Sequence, residues 1–166
     1  MLQWIGEILI VLAGCGIGFS MSKELEEHLN DLNEIKKVFH LIKSEMQYTK
    51  APFAEIFDKV GKKMSNPYKG WLLSVSKTLK QKQEKSFWDI WKHSIDEFLT
   101  DGRLMKEEIK ELKEIGKQME YPECLDLYIE QLEYRTKLLR EEYKSKKKIY
   151  QSLGIMGGIF LAVILL

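Results

Sequence analysis

Proline is scarce in this 166-residue sequence, occurring only at Pro52, Pro67 and Pro122, and β-branched runs are few. Strands favour β-branched side chains and proline breaks helices, so their shortage points to an all-helical chain. Histidine is equally sparse. His28, His40 and His93 are scattered, and none has a second histidine or cysteine at ligand spacing, so no metal site is expected. The two cysteines, Cys15 and Cys124, lie on very different segments, the first inside an apolar run. That excludes a disulfide framework and fits a reducing compartment. A formal net charge of +1 gives no overall field for binding nucleic acid. No nucleophile elbow or serine-lysine motif is present. Val60-Gly61-Lys62-Lys63 resembles a phosphate loop only superficially: Ile56 stands where the upstream glycine is needed and Lys63 replaces the Ser/Thr. The expectation is a chain that is not an enzyme and has no catalytic residues and no cofactor.

What the sequence does have is two apolar ends. Ile149 to Leu166 carries no charged side chain, and as a helix it would reach roughly 27 Å. A bilayer's hydrocarbon core is about 30 Å thick, so this run is long enough to cross with little tilt. The competing reading, a buried core helix, does not suit a run that closes on six apolar residues with no polar face. Lys146, Lys147 and Lys148 immediately precede it, and positive charge beside a span marks the cytoplasmic side. Met1 to Met21 is the second apolar run, broken only by Gln3, Glu7 and Ser20. A signal peptide would need a basic start, and the only early charge is Glu7. Leu12-Ala13-Gly14-Cys15 matches a lipidation box, but that reading would put Lys146 to Lys148 on the wrong side. The favoured organisation is residues 1–21 as one transmembrane helix, 22–148 as a cytoplasmic helical domain and 149–166 as a second transmembrane helix. Both termini then lie outside.

Two features would tie the ends together. Gly14 and Gly18 in the first run, and Gly154 and Gly158 in the second, are small-xxx-small pairs that let helix backbones approach closely. Counted inward from Lys23 and Lys148, Gly18 is level with Gly154 and Gly14 with Gly158. Contact between the spans and contact with another subunit are both compatible, which leaves a homo-oligomer open. Charge is the second feature. The stretch leaving the first run is acidic (Glu24, Glu26, Glu27, Asp31, Glu34), and the stretch entering the second is basic (Arg135, Lys137, Arg140, Lys144, Lys146, Lys147, Lys148). They either pair or form two solvated faces, single exposed pairs contributing at most about 1 kcal/mol. Glu7 reads as an interfacial carboxylate, with a partner contact or ion path as the sharper option.

Between the ends, apolar residues recur at helical spacing. Leu25, Leu29, Leu32, Val38/Phe39, Ile42 and Met46 extend the first span into the domain. Pro52 opens a helix to about Met64, and Asn66-Pro67 another to about Lys80. After a polar loop, Gln81 to Lys85, Ser86 and Asp89 have the spacing of a capping box. Trp88, Trp91, Ile95 and Phe98 follow on one face, read as core rather than as a ligand box. Asp101-Gly102 breaks that helix. Met105 to Ile115 forms the fifth helix, ending near Gly116, and Tyr121-Pro122 starts the sixth.

Taken in this order, the layout resembles the stage III sporulation protein AB family of endospore-forming bacteria. The features that carry the resemblance are the N-terminal run leading into an acidic helix and Glu45-Met46-Gln47-Tyr48 followed by Pro52. Leu112 to Gly116 reads Leu-Lys-Glu-Ile-Gly, and Ser152-Leu153-Gly154 opens the terminal run. The family tends to have two leucine-glycine pairs. Ile115-Gly116 keeps the first, and Met119-Glu120 stands where the second would be, which bears on the turn before the last helix. The resemblance implies a cytoplasmic bundle similar to the F domain of type II secretion and type IV pilus inner-membrane proteins. It further implies a platform in the mother-cell membrane, within a channel-like complex joining mother cell and forespore. The implied partners are the stage III sporulation protein AA ATPase, other membrane components of that complex and the lipid bilayer. The competing class is a membrane-anchored signalling or sensor module. It is disfavoured because the expected outside portions are only a few residues.

Overall fold

The computed structural model describes the backbone of residues 2–81 and 85–164, and side chains over 23–81 and 85–149 and at Ser152 and Met156. Among them are six α-helices, one 3-10 turn and no strand. The helices are α1 (Leu2–Thr49), α2 (Phe53–Gly61), α3 (Tyr68–Lys80), α4 (Phe87–Phe98), α5 (Lys106–Ile115) and α6 (Pro122–Ile164), with the 3-10 turn at Gly116–Gln118. Among the described residues no helix is long and apolar enough to cross a membrane. The side chains of 1–21, and all but Ile149, Ser152 and Met156 of 149–166, lie outside the described residues. The glycine pairs and Glu7 fall there too.

The chain forms two compact units, Met1–Leu29 with Thr136–Leu166, and Asn30–Arg135. In the second, α1 presents Leu32, Ile35, Phe39 and Ile42 inward, all essentially inaccessible to water. Spacings of three and four place them on one helical stripe. The centre of this unit is aromatic. Trp91 on α4 is fully buried, with ring centroids 4.7 Å from Trp71, 5.8 Å from Phe57, 6.0 Å from Phe87 and 6.4 Å from Phe39. Its indole N–H donates to the Leu112 carbonyl at 2.8 Å, joining α4 to α5. Trp71 Nε1 donates to Ser94 Oγ at 3.1 Å, joining α3 to α4. Both indole donors are therefore satisfied, and each ring contributes roughly 4–6 kcal/mol through the apolar area it removes from water.

Glycines allow close approach at three helix contacts: an added Cβ would lie 2.2 Å from Trp91 Cδ1 at Gly116, 2.8 Å from Phe98 Cε1 at Gly70, and 3.2 Å from Leu72 Cβ and Leu73 Cγ at Gly61. α2 stops at Gly61, short of Met64. Lys63 and Met64 donate back three residues, to Val60 and Gly61, in a tightened turn. α4 starts as its spacing foretold: Ser86 Oγ accepts from the Asp89 N–H at 3.2 Å, and its hydroxyl donates to Asp89 Oδ2 at 2.6 Å. α5 has the reciprocal half of a capping box, with the Met105 N–H donating to Glu108 Oε2 at 2.8 Å. Where the second leucine-glycine pair would stand, Met119 is fully buried and Glu120 exposed. Lys50 is the one non-glycine residue with positive φ among the described residues, so the turn at Glu120 needs no glycine.

Candidate functional site

The described surface offers three places where residues converge, each built on α1 or α6. The first belongs to the unit containing the chain ends. Glu24 and Glu26 are exposed and Glu27 is half-buried. Tyr143 on α6 donates its hydroxyl to Glu26 Oε2 at 3.1 Å, a link between α1 and α6. Glu27 lies 3.9 Å from Lys23 on its own helix, and Lys146 lies 2.6 Å from Glu142. The Lys147 ammonium sits 5.5 Å from the Tyr143 ring centre. The Tyr143 phenol is thus a polar bridge from α6 to α1.

The second place is where α1 ends, in the Asn30–Arg135 unit. Glu45, nearly buried, accepts from Lys59 Nζ at 2.6 Å and Lys63 Nζ at 3.3 Å, pinning α2 to α1. The Lys59 hydrogen bond is the main reason its carboxyl is held below the ordinary carboxylate value; burial, the next largest effect, opposes it, and the Lys63 hydrogen bond reinforces it. α1 then closes at Thr49, whose hydroxyl donates to the Glu45 carbonyl at 2.7 Å, and Lys50 adopts φ 49°. Further back along α1, Tyr68 donates to Asp31 Oδ1 at 2.9 Å; burial raises its phenol above the ordinary range, so it remains a donor.

The third lies between α5 and α6. Arg135 Nη2 donates to Glu111 Oε1 at 2.7 Å, and Lys43 pairs with Asp126 across α1 and α6. Between these ties a pocket of about 220 Å³ is lined by Glu111, Ile115, Gln118, Cys124, Leu127 and Tyr128, among others. Leu127 is 58% exposed and Tyr134, seven residues on, is 65% exposed. Leu127 and Tyr134 are apolar residues out of phase with the buried Leu125, Tyr128, Ile129 and Leu132 stripe. That break in phase is the signal the sequence carries for an exposed apolar face. Of the α4 stripe, Trp91 and Ile95 are fully buried in the core, while Phe98 and Trp88 are half-buried, Trp88 flanked by Lys92 and Lys117 at 5.1 and 4.9 Å. Among the described residues, no group of three or more His, Cys, Asp or Glu side chains could hold a metal ion.

Residues 3–166 match the family described as stage III sporulation protein AB. The chain belongs to that family. A solved structure titled stage III sporulation protein AB superposes with a TM-score of 0.64 at 16% identity, covering 71% of this chain and 97% of the other. At that identity the likeness speaks for the fold alone. No curated protein matches the sequence. The family makes this a sporulation protein, and the helical fold is shared with the solved relative.

Proposed function

We propose that the chain is a non-catalytic membrane platform of a secretion-like complex needed for endospore formation, docking a partner ATPase. In this reading residues 1–21 and 149–166 span the mother-cell membrane and 22–148 form a cytoplasmic domain. The observation that carries it is the family match over residues 3–166, which takes in both apolar ends as well as the bundle. Two further features support it. α1 and α6 run as unbroken helices through those ends, the conformation that satisfies every backbone group in lipid. The described core is filled with interlocked aromatics, leaving the surface of the bundle as the working part.

Gly14, Gly18, Gly154 and Gly158 would let the two spans approach. Glu24, Glu26 and Glu27 would lie level with Lys146, Lys147 and Lys148 and fix the hairpin. The partner is the stage III sporulation protein AA ATPase, which supplies the hydrolysis this chain's residues do not perform. The test is affinity isolation of the full-length chain, in detergent, from sporulating cells. The ATPase should co-purify, and it should be lost when Glu24, Glu26 and Glu27 are reversed to lysine. Restoring opposite charge by reversing Lys146, Lys147 and Lys148 in the same protein should bring it back. A folded, correctly inserted chain that never retains the ATPase would contradict the docking role.

A further inference from the structure

The α5–α6 groove is an exposed face that is both acidic and apolar. Along the exposed face of α6, Glu123, Leu127, Glu130 and Tyr134 follow one another at helical spacing, with Cys124 and Tyr128 behind them in the pocket wall. Tyr121 adds a third apolar side chain, 60% exposed, at the start of the helix. Glu120, Glu123 and Glu130 have no ion-pair partner among the described residues. From Asp96 to Glu133 the sequence has twelve Asp or Glu against five Lys or Arg, a net of −7. The occupant of this groove therefore needs positive charge carried on apolar stems.

The same unit offers that elsewhere. From Lys50 to Lys80 there are seven lysines against Glu55 and Asp58, a net of +5. On α3, Lys69, Leu73, Lys77 and Lys80 fall on one stripe; the lysines are exposed and Leu73 is half-buried. Lys69 and Lys77 have no carboxylate partner among the described residues. Lysine stems cover apolar surface while their ammonium heads reach carboxylates or aromatic faces. The two patches belong to different helices joined at α4, whose Trp91 meets Trp71 of α3 and donates to the Leu112 carbonyl of α5.

We propose that the chain self-associates head to tail, the lysine stripe of α3 in one copy seating on the acidic, apolar face of α5–α6 in the next. Each copy presents both patches, so the contact is heterologous and repeats, closing into a ring or continuing as a row. A two-fold contact through either patch alone would oppose like charges, which argues against a simple symmetric dimer. This goes beyond the platform reading and does not depend on the ATPase.

Native Cys124 makes the contact measurable. The full-length chain carrying Cys15→Ser and Lys77→Cys is treated in detergent with a short bis-maleimide and resolved on a denaturing gel. The expected result is a ladder of dimers, trimers and higher species that disappears when Cys124→Ser is added. Reversing Glu120, Glu123 and Glu130 to lysine should cut the ladder at least tenfold, and adding Lys69→Glu and Lys80→Glu should restore it. Far-UV circular dichroism confirms that each variant is folded, and the restoration separates lost contact from lost fold. The proposal is overturned by a chain that stays monomeric, as it would be if the groove serves a different protein. It is equally overturned by products that stop at dimer, that persist without Cys124, or that ignore the charge reversals.

Discussion

The helix pairs α2–α3 and α5–α6 both pack against α4, yet they use their apolar residues differently. In α2–α3 the amphipathic stripes are spent inward. Gly61 brings α2 onto Leu72 and Leu73, Ser76 donates to the Ala54 carbonyl at 2.6 Å, and Phe53, Phe57 and Phe87 stack at 5.5–6.0 Å. No large apolar side chain on α2 or α3 is fully exposed. In α5–α6, Ile109, Leu112 and Ile115 face inward, but Tyr121, Leu127 and Tyr134 are left to solvent, Leu127 at the wall of a pocket. One pair finishes its packing within the chain; the other leaves part of its apolar surface for something else. A bundle of one fold class thus holds both a structural and an interactive pair, distinguished by where apolar residues leave phase.

The comparison can be broken most severely at the element both pairs share. Trp91→Ala removes a fully buried indole and orphans the Leu112 carbonyl, and should cost about 3–5 kcal/mol, read as denaturant midpoint shift of the whole bundle. Next comes the glycine contrast. Gly116→Ala drives a methyl into Trp91 and should cost roughly 1–3 kcal/mol, whereas Gly61→Ala, meeting leucines at 3.2 Å, should cost less. Equal losses at the two glycines would erase the distinction. At Lys50, φ 49° strains a non-glycine residue, so Lys50→Gly should raise stability by up to about 1 kcal/mol in thermal melts. Leu127→Ala and Tyr134→Ala should change monomer stability by no more than about 0.5 kcal/mol while weakening self-association. A large stability loss there would mean the groove is core, not surface.

Acid provides a further test of how α2 is held. Glu45 has its carboxyl lowered from 4.5, chiefly by Lys59, so its contribution is present above that value and lost as pH falls through the folded one. The melting-temperature gap between the native chain and Glu45→Gln should therefore be steady at pH 6 and close below about pH 4.5. A gap that persists unchanged at lower pH would assign the effect to shape rather than charge.

Much of this fold was legible because its signals are local. Ser86 and Asp89 cap α4, Gly116 ends α5, and most of the periodic residues are buried, Met46, Trp88 and Phe98 only partly so. What was not legible depended on tertiary neighbours. Ile90 sits off the α4 stripe of Trp91 and Ile95, yet is buried, and Ile35 fills a place on the α1 stripe between Leu32 and Phe39. The requirement for Gly116 comes from Trp91, twenty-five positions earlier, and not from backbone conformation. Met119 could substitute for leucine and Glu120 for glycine because that turn demands burial at the first position and nothing special of the second. The groove was missed since each exposed apolar residue, taken singly, is ordinary. Only its neighbours in space give it meaning.

The proposed topology, a cytoplasmic bundle held by a membrane hairpin, is tested by cysteine accessibility in intact cells. In a chain with Cys15→Ser and Cys124→Ser, one cysteine is added after Leu166, or Lys85→Cys is made in the loop before α4. An impermeant maleimide should label the tail in intact cells and the loop only after the membrane is opened. A loop labelled in intact cells would place the bundle outside and contradict the platform reading.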